Sequence, residues 1–347
     1  MNKLQHQVRK HQFGMSLVEV MVALVISLFL LAGIVQVFLA NRTSYTFTES
    51  ISRIQENGRF ALDTVTQDLR MAGFFGCAIF DPADTSTLVN NLNPAGGGYD
   101  AAIHDFIGQG LLGGTENDGL NGSDSITLRG AKPDQATIHP PYNVSTSATI
   151  HVTTNDSIQP GDIVMVSNCR GGDIFQVTNK TTSTKASQQS VVHNTGGGSP
   201  GNYNPDSCKG GNAHCLSQTY GSDATMFELQ AVTYSIAVGA SGEPALWRSE
   251  NGTNVELIEG IEQMQVLYGV DTDGDNFANQ YLVSTAVADM LTVMSVRLML
   301  LVRSDSDGVT EDAQVYNYNG ANTTAADQRL RQVFSTTIAL RNRTGSS

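Results

Sequence analysis

From Met15 to Ala40 the chain runs through 26 residues whose only formally charged side chain is Glu19. That exceeds the roughly 20 apolar residues needed to cross a bilayer. After Arg42 the texture changes from uniformly apolar to periodic. Ile51, Ile54, Leu62, Val65 and Leu69 recur at helical spacing, with Ala61 and Ala72 on or near the same stripe. Glu49/Arg53 and Arg59/Asp63 stand four apart, as ion pairs on an exposed helix face do. No Pro occurs between Met15 and Gly73, and Gly73-Phe74-Phe75-Gly76 stops the pattern. The spacing predicts one helix of roughly 55–60 residues, about 85 Å long at 1.5 Å per residue. Its first half (15–41) is apolar all round; its second half (42–76) has one apolar face and packs on a globular domain.

Beyond Cys77 short β-rich runs alternate with Gly/Asn/Asp/Ser clusters. Expected strands are Ser125–Leu128, Thr149–Thr153, Ile163–Ser167, Ile174–Thr178, an interrupted Met226–Val238, Met264–Val270, Val293–Val302 and Val333–Leu340. Segments 81–122 and 194–222 read as long loops, and no internal repeat occurs. The fold class is α+β: a long N-terminal helix packed on a large antiparallel β-rich domain, 77–347.

Composition narrows the function classes. In 347 residues, 40% are hydrophobic, 15% are charged and 34 are Gly, which excludes a coiled coil and a charge-driven disordered chain. Lys and Arg number 20 against 33 Asp and Glu, a net charge of −13. Such a chain repels phosphate backbones, so no direct nucleic-acid binding is expected. Residues 1–14 hold Lys3, Arg9, Lys10, His6 and His11 and no acid. A basic flank before the span places the N-terminus in the cytoplasm and the bulk of the chain outside. An ordinary secretory signal fits poorly, because no small-x-small cleavage site follows Ala40.

A carboxylate five residues into an apolar span needs a partner. Gly14-Met15-Ser16-Leu17-Val18-Glu19-Val20-Met21-Val22-Ala23-Leu24 resembles the class III signal of type IV pilins and pseudopilins. The resemblance implies a leader, 1–14, that a prepilin peptidase removes by cutting Gly14–Met15 before methylating the new amine. Met15 stands where the family most often has Phe, and other first residues are tolerated there. Glu19 becomes the fifth residue of the mature chain. It would pair with the α-amine of a neighbouring subunit, an assembly role with no catalysis. Three of the basic residues lie in the leader, so the chain from Met15 onward carries net −16.

Three further segments are similar to PilW-type minor pilins: Arg70 to Cys77, Gly260 to Asp275, and Val333 to Arg343. The resemblance implies a non-enzymatic subunit, inserted in the inner membrane with a periplasmic C-terminal domain and then assembled at the pilus tip. Its implied partners are other minor pilins, the major pilin, the prepilin peptidase, the membrane and a tip adhesin; the implied processes are motility, adhesion and DNA uptake. A type II secretion minor pseudopilin of the GspJ kind shares the signal and is the close alternative. A membrane-anchored periplasmic enzyme is the alternative from another class, but the chain has no G-x-S-x-G or H-E-x-x-H, and its seven His are scattered.

The remaining candidates are weaker. Asp271, Asp273 and Asp275 alternate, with Asn276 and Asn279 beside them. Such an oxygen cluster suits Ca²⁺, although the spacing is not an EF-hand; a solvated Asp/Gly turn is the alternative, as it is for Asp305, Asp307, Glu311 and Asp312. In an oxidising periplasm, Cys77, Cys169, Cys208 and Cys215 allow three connectivities, of which Cys208–Cys215 with Cys77–Cys169 is the simplest. A zinc site using His214 would lack a C-x-x-C. Gly108 to Gly113 spells G-x-G-x-x-G without a preceding strand or following helix, so it is no nucleotide fingerprint.

Overall fold

The computed structural model describes residues 14–76, 87–107, 112–142, 147–182, 187–195, 198–203 and 216–342. The helical pattern is realised as α1, Leu17–Met71. At its start Glu19 reaches back to accept the Ser16 N–H at 3.1 Å, satisfying a donor the first turn would leave orphaned. At its end Gly73 and Gly76 take left-handed backbone, φ 75° and 68°, which glycine adopts without a Cβ clash. The departing chain docks at once on the sheet: the Gly73 N–H donates to the Arg129 carbonyl at 2.9 Å and the Ala131 N–H to that of Phe74 at 2.7 Å. From Gly14 to Tyr45 every residue of this helical arm is exposed. From Ser50 onward one face is buried, through Ser50, Ile54, Gly58, Ala61, Val65 and Leu69. Ile51 and Leu62 flank that stripe rather than forming it.

The strands are β1 (Leu88–Asn90), β2 (Leu112–Thr115), β3 (Ser125–Thr137), β4 (Thr149–Thr153), β5 (Ile163–Asn168), β6 (Gly171–Gln176), β7 (Asn179–Thr182), β8 (Gln188–Val192), β9 (Thr225–Val238), β10 (Pro244–Glu250), β11 (Thr253–Glu259), β12 (Ile261–Val270), β13 (Gln280–Leu282), β14 (Val293–Arg303), β15 (Val315–Tyr318), β16 (Ala321–Thr324) and β17 (Arg331–Ala339); a short helix α2 (Ala101–His104) precedes β2. The largest sheet has the order β1-β6-β5-β9-β10-β11, with β3 also on β9 and β2 on β3. A four-stranded sheet, β13-β12-β14-β17, lies beside it; β4-β8-β7 form a third sheet and β15-β16 a hairpin. All these pairings are antiparallel except β1 on β6.

The apolar stripe of α1 is what joins the two large sheets. Ile54, Ala61, Val65 and Leu69 pack in one core with Tyr234 of β9, Met264 and Val266 of β12, and Leu298 and Leu300 of β14. A second core lies under the three-stranded sheet around Val152, Phe175 and Val191, and a third around Phe75, Phe106 and Phe227.

Two expectations need correction. Segment 81–122 is not one long loop, since β1, α2 and β2 form within its described part. These are edge elements of three or four residues, too short to show a period. The expected break in Met226–Val238 is absent: β9 is continuous because β5 and then β10 pair along one side while β3 pairs along the other. In the described part of 194–222 only an isolated bridge, Asn202 to Leu92, forms.

Candidate functional site

The exposed start of α1 holds Gly14, Met15 and Glu19. No heavy atom stands within 4 Å of where a Gly14 Cβ would lie. Among the described residues nothing packs against position 14 so as to demand glycine there. Met15 is 71% exposed, and the apolar side chains that follow cover nothing among the described residues. The helix is long and apolar enough to cross a membrane. Glu19 is half of a local cap through the Ser16 N–H, a role that the assembly reading of its charge did not include. The S-x-x-E spacing could have shown it.

The other end of α1 is locked to the domain by charge. Asp68 accepts the Tyr234 hydroxyl at 2.6 Å and the Arg248 Nε–H at 3.1 Å. Arg248 also reaches Glu250 at 2.5 Å, and Lys132 joins Glu250 to Glu228 at 2.8 and 2.7 Å. Burial, together with the Asp68 carboxylate, pushes the Tyr234 hydroxyl far above its usual range, so it stays a donor. Arg331, almost fully enclosed, similarly ties β17 to Glu262 at 2.7 Å and to Asp327 at 2.5 Å. Apart from Arg248–Glu250 and Arg331–Asp327, these partners lie far apart in sequence, and only the isolated charges in otherwise apolar strands hint at them.

The Asp271–Asp275 turn does gather its carboxylates, one oxygen of each within 4.8 Å of the others. Asp271 is buried at the end of β12 and accepts three backbone N–H groups, from Asp273 at 3.1 Å, Gly274 at 2.7 Å and Asn276 at 2.8 Å. Asp275 accepts the Phe277 N–H at 2.8 Å, and Asn279 donates to Asp273 at 3.3 Å. The loop's own donors thus account for its shape. In the second acidic loop Asp305 pairs with Arg53 at 3.2 Å and Asp307 accepts the N–H groups of Gly308 and Gln328. A cleft of about 150 Å³ between α1 and this loop is lined by Glu49, Arg53, Asn57 and Arg303, all of them already engaged in ion pairs or hydrogen bonds.

Cys169, in the turn between β5 and β6, is disulfide-bonded. Cys77, Cys208 and Cys215 lie outside the described residues, as do His214 and the first four positions of the Gly108–Gly113 stretch. Leu112 and Gly113 begin β2.

Comparison with known proteins marks both ends of the chain. Residues 9–35 match the prokaryotic N-terminal methylation motif. Residues 233–342, from mid-β9 to just past β17, match the family described as type IV pilus-assembly protein W. A type IV-like pilin from Thermus thermophilus is similar at 16% identity with a TM-score of 0.21; the similarity covers 33% of this chain and 66% of that one. No curated protein matches.

Proposed function

With a prepilin methylation motif at its N-terminus and a pilus-assembly protein W segment in its last third, this chain, we infer, is a minor pilin of a type IV pilus, membrane-anchored by its apolar helix. One observation carries the reading. Among the described residues the apolar half of α1 buries nothing, while the other half is fixed to the domain by a packed stripe and the Asp68 ion pair. Such a helix has to be covered by lipid before assembly and by other helices after it.

On this reading prepilin peptidase cuts Gly14–Met15 and methylates the new amine. The domain faces the periplasm from the inner membrane, and Glu19 pairs with a neighbour's amine. The subunit joins other minor pilins in a non-enzymatic tip and priming complex that can present an adhesin. Cys77–Cys169 is the proposed disulfide, supported by the Ser167 hydroxyl donating to the Phe75 carbonyl at 3.5 Å, two residues before each cysteine. Non-reducing peptide mapping should link the Cys77 and Cys169 peptides and leave Cys208 with Cys215; a Cys169–Cys215 peptide would contradict that pairing. A Ca²⁺ at Asp271, Asp273 and Asp275 is a separate proposal. It requires the full chain to melt higher in millimolar Ca²⁺ than in chelator, and equal melting leaves a turn held by its own hydrogen bonds.

The experiment for the pilus reading is fractionation. The wild-type chain should appear in sheared pili. Glu19→Ala should insert in the membrane at normal levels but be depleted from pili. Normal incorporation of Glu19→Ala contradicts the assembly role, and loss of protein secretion rather than of pili on deletion favours the pseudopilin.

A further inference from the structure

The four-stranded sheet ends on β17, and the phase of its hydrogen bonds can be read from one side chain. The Arg331 N–H donates to Gln314 Oε1 at 2.7 Å, and the Arg331 carbonyl accepts from Gln314 Nε2 at 2.9 Å. Both backbone groups therefore point away from β14. Antiparallel alternation then turns the N–H and C=O groups of Val333, Ser335, Thr337 and Ala339 outward, while the residues between them bond β14. The bond from the Leu340 N–H to the Met294 carbonyl, 2.9 Å, agrees with that phase. Gln314 covers the first outward rung. The next four have no backbone partner among the described residues.

Natural edge strands are usually blunted by charge, Pro, a bulge or shortness. β11 carries Glu256 and Glu259 and a register shift against β10, and β1 and β13 have three residues each. β17 has nine residues in unbroken register with β14, and no charge or Pro occurs from Gln332 to Leu340. It is rich in β-branched residues and solvent reaches Ser335, Thr337 and Ala339.

The direction of this edge identifies its occupant. Phe334 lies against Gly58, and Asn342 donates to the carbonyls of Arg70 at 3.4 Å and Ala72 at 3.1 Å. β17 therefore runs alongside α1 in the same direction. We propose that its outer edge pairs with a strand of a neighbouring, non-identical pilin subunit, extending the sheet across the subunit boundary. This rests on the pilus reading, in which neighbours align their helices. A second copy meeting this edge with its own would need a two-fold axis along the strands, which puts its helix on the opposite face of the joined sheet. A second copy offering the other edge of the sheet has only the three residues of β13. A nine-residue edge is matched by a different subunit with a longer complementary strand.

The test uses the full chain in cells, with the photoreactive p-benzoylphenylalanine in place of Ser335. Irradiation should give an adduct with a different pilin, identified by mass spectrometry. Thr337→Pro removes an outward N–H and no backbone bond to β14. The one side-chain bond lost, from the Arg297 Nε–H to the Thr337 hydroxyl at 3.4 Å, is lost in Thr337→Val as well. Thr337→Pro should therefore lower the adduct about tenfold or more while membrane levels and protease resistance hold. Thr337→Val, which keeps that N–H, should retain the adduct. If the Pro variant fails to accumulate, Thr337→Lys, a charge on the same edge, should lower the adduct equally. An adduct containing only this chain, no adduct with any other subunit, or an adduct undiminished by a stable edge variant overturns the proposal. Failure of the pilus reading is distinguishable, since it appears as absence of the unmodified chain from sheared pili whatever the adduct shows.

Discussion

Asp327 shows how a single ion pair ties stability to pH. The hydrogen bond from Arg331 holds its carboxyl below the usual carboxylate range, helped by the Arg329 N–H. A group depressed in the folded state stabilises the fold above its unfolded value, about 4, and loses that contribution as pH falls through the folded value. Asp327→Asn should therefore lower stability by about 1–2 kcal/mol at pH 7, a figure discounted for its partial exposure. The difference from wild type should shrink progressively as pH falls below about 4 and vanish only below the depressed folded value, where both carry a neutral side chain. Denaturant melts at pH 7 and pH 3 check this, and a pH-independent difference contradicts it. Asp271 is a second case: Asp271→Ala orphans three N–H groups and should cost about 1–2 kcal/mol, by analogy with losing a helix cap. Asp273→Ala, on an exposed side chain, should stay within about 0.5 kcal/mol in chelator. Equal losses for the two in a chelator melt would contradict the turn geometry. The Asp271 turn was legible because its partners sit within five residues, whereas the Glu19 cap went unread although Ser16 is only three residues away. Asp68 was not legible, since its partners are 166 and 180 residues away.

At the scale of elements, α1 and β17 meet where Gly58 lies under the Phe334 ring. A Cβ at position 58 would stand 2.6 Å from ring carbons Cδ2 and Cε2. Gly58→Ala gains about 1 kcal/mol of helix propensity but overpacks the joint by about 1–3 kcal/mol, so the net effect should be destabilising. Phe334→Leu should relieve part of it, and thermal melts of the double variant against the two single ones measure the coupling. Simple additivity would mean that the contact is slack. Gly58 interrupts the apolar stripe in the sequence, and only its partner explains it. The helix itself was legible because neither half contains Pro and its apolar face repeats for five turns. The long strands β9, β12 and β14 were legible from apolar runs and alternation. β10 and β11 were missed because only Pro244, Ala245 and Leu246 are buried in them, and the rest, among them Arg248, Glu250, Glu256 and Glu259, is half-exposed or exposed.

At the scale of the molecule, the two matched segments coincide with two physical modules. The methylation motif opens the solvent-exposed apolar arm, and the pilus-assembly protein W segment spans β10 to β17, including the four-stranded sheet that grips the second half of α1. Residues 77–232 lie outside both matches, and they hold the second core, all of the third except Phe75, and the disulfide-bonded Cys169. The class of the fold was legible because a 55-residue helix leaves few ways to bury one stripe. The division into three sheets was not, because strand pairing joins residues distant in sequence, as where β9 holds β3, β5 and β10 in the largest sheet. On the proposed reading the N-terminal arm is a processed pilin helix. Intact mass and N-terminal sequencing of the chain recovered from membranes test it most directly. The account predicts a mature chain beginning at N-methylated Met15, with Gly14→Val retained as the full-length precursor. An unprocessed wild-type chain, or normal cleavage in Gly14→Val, would contradict it.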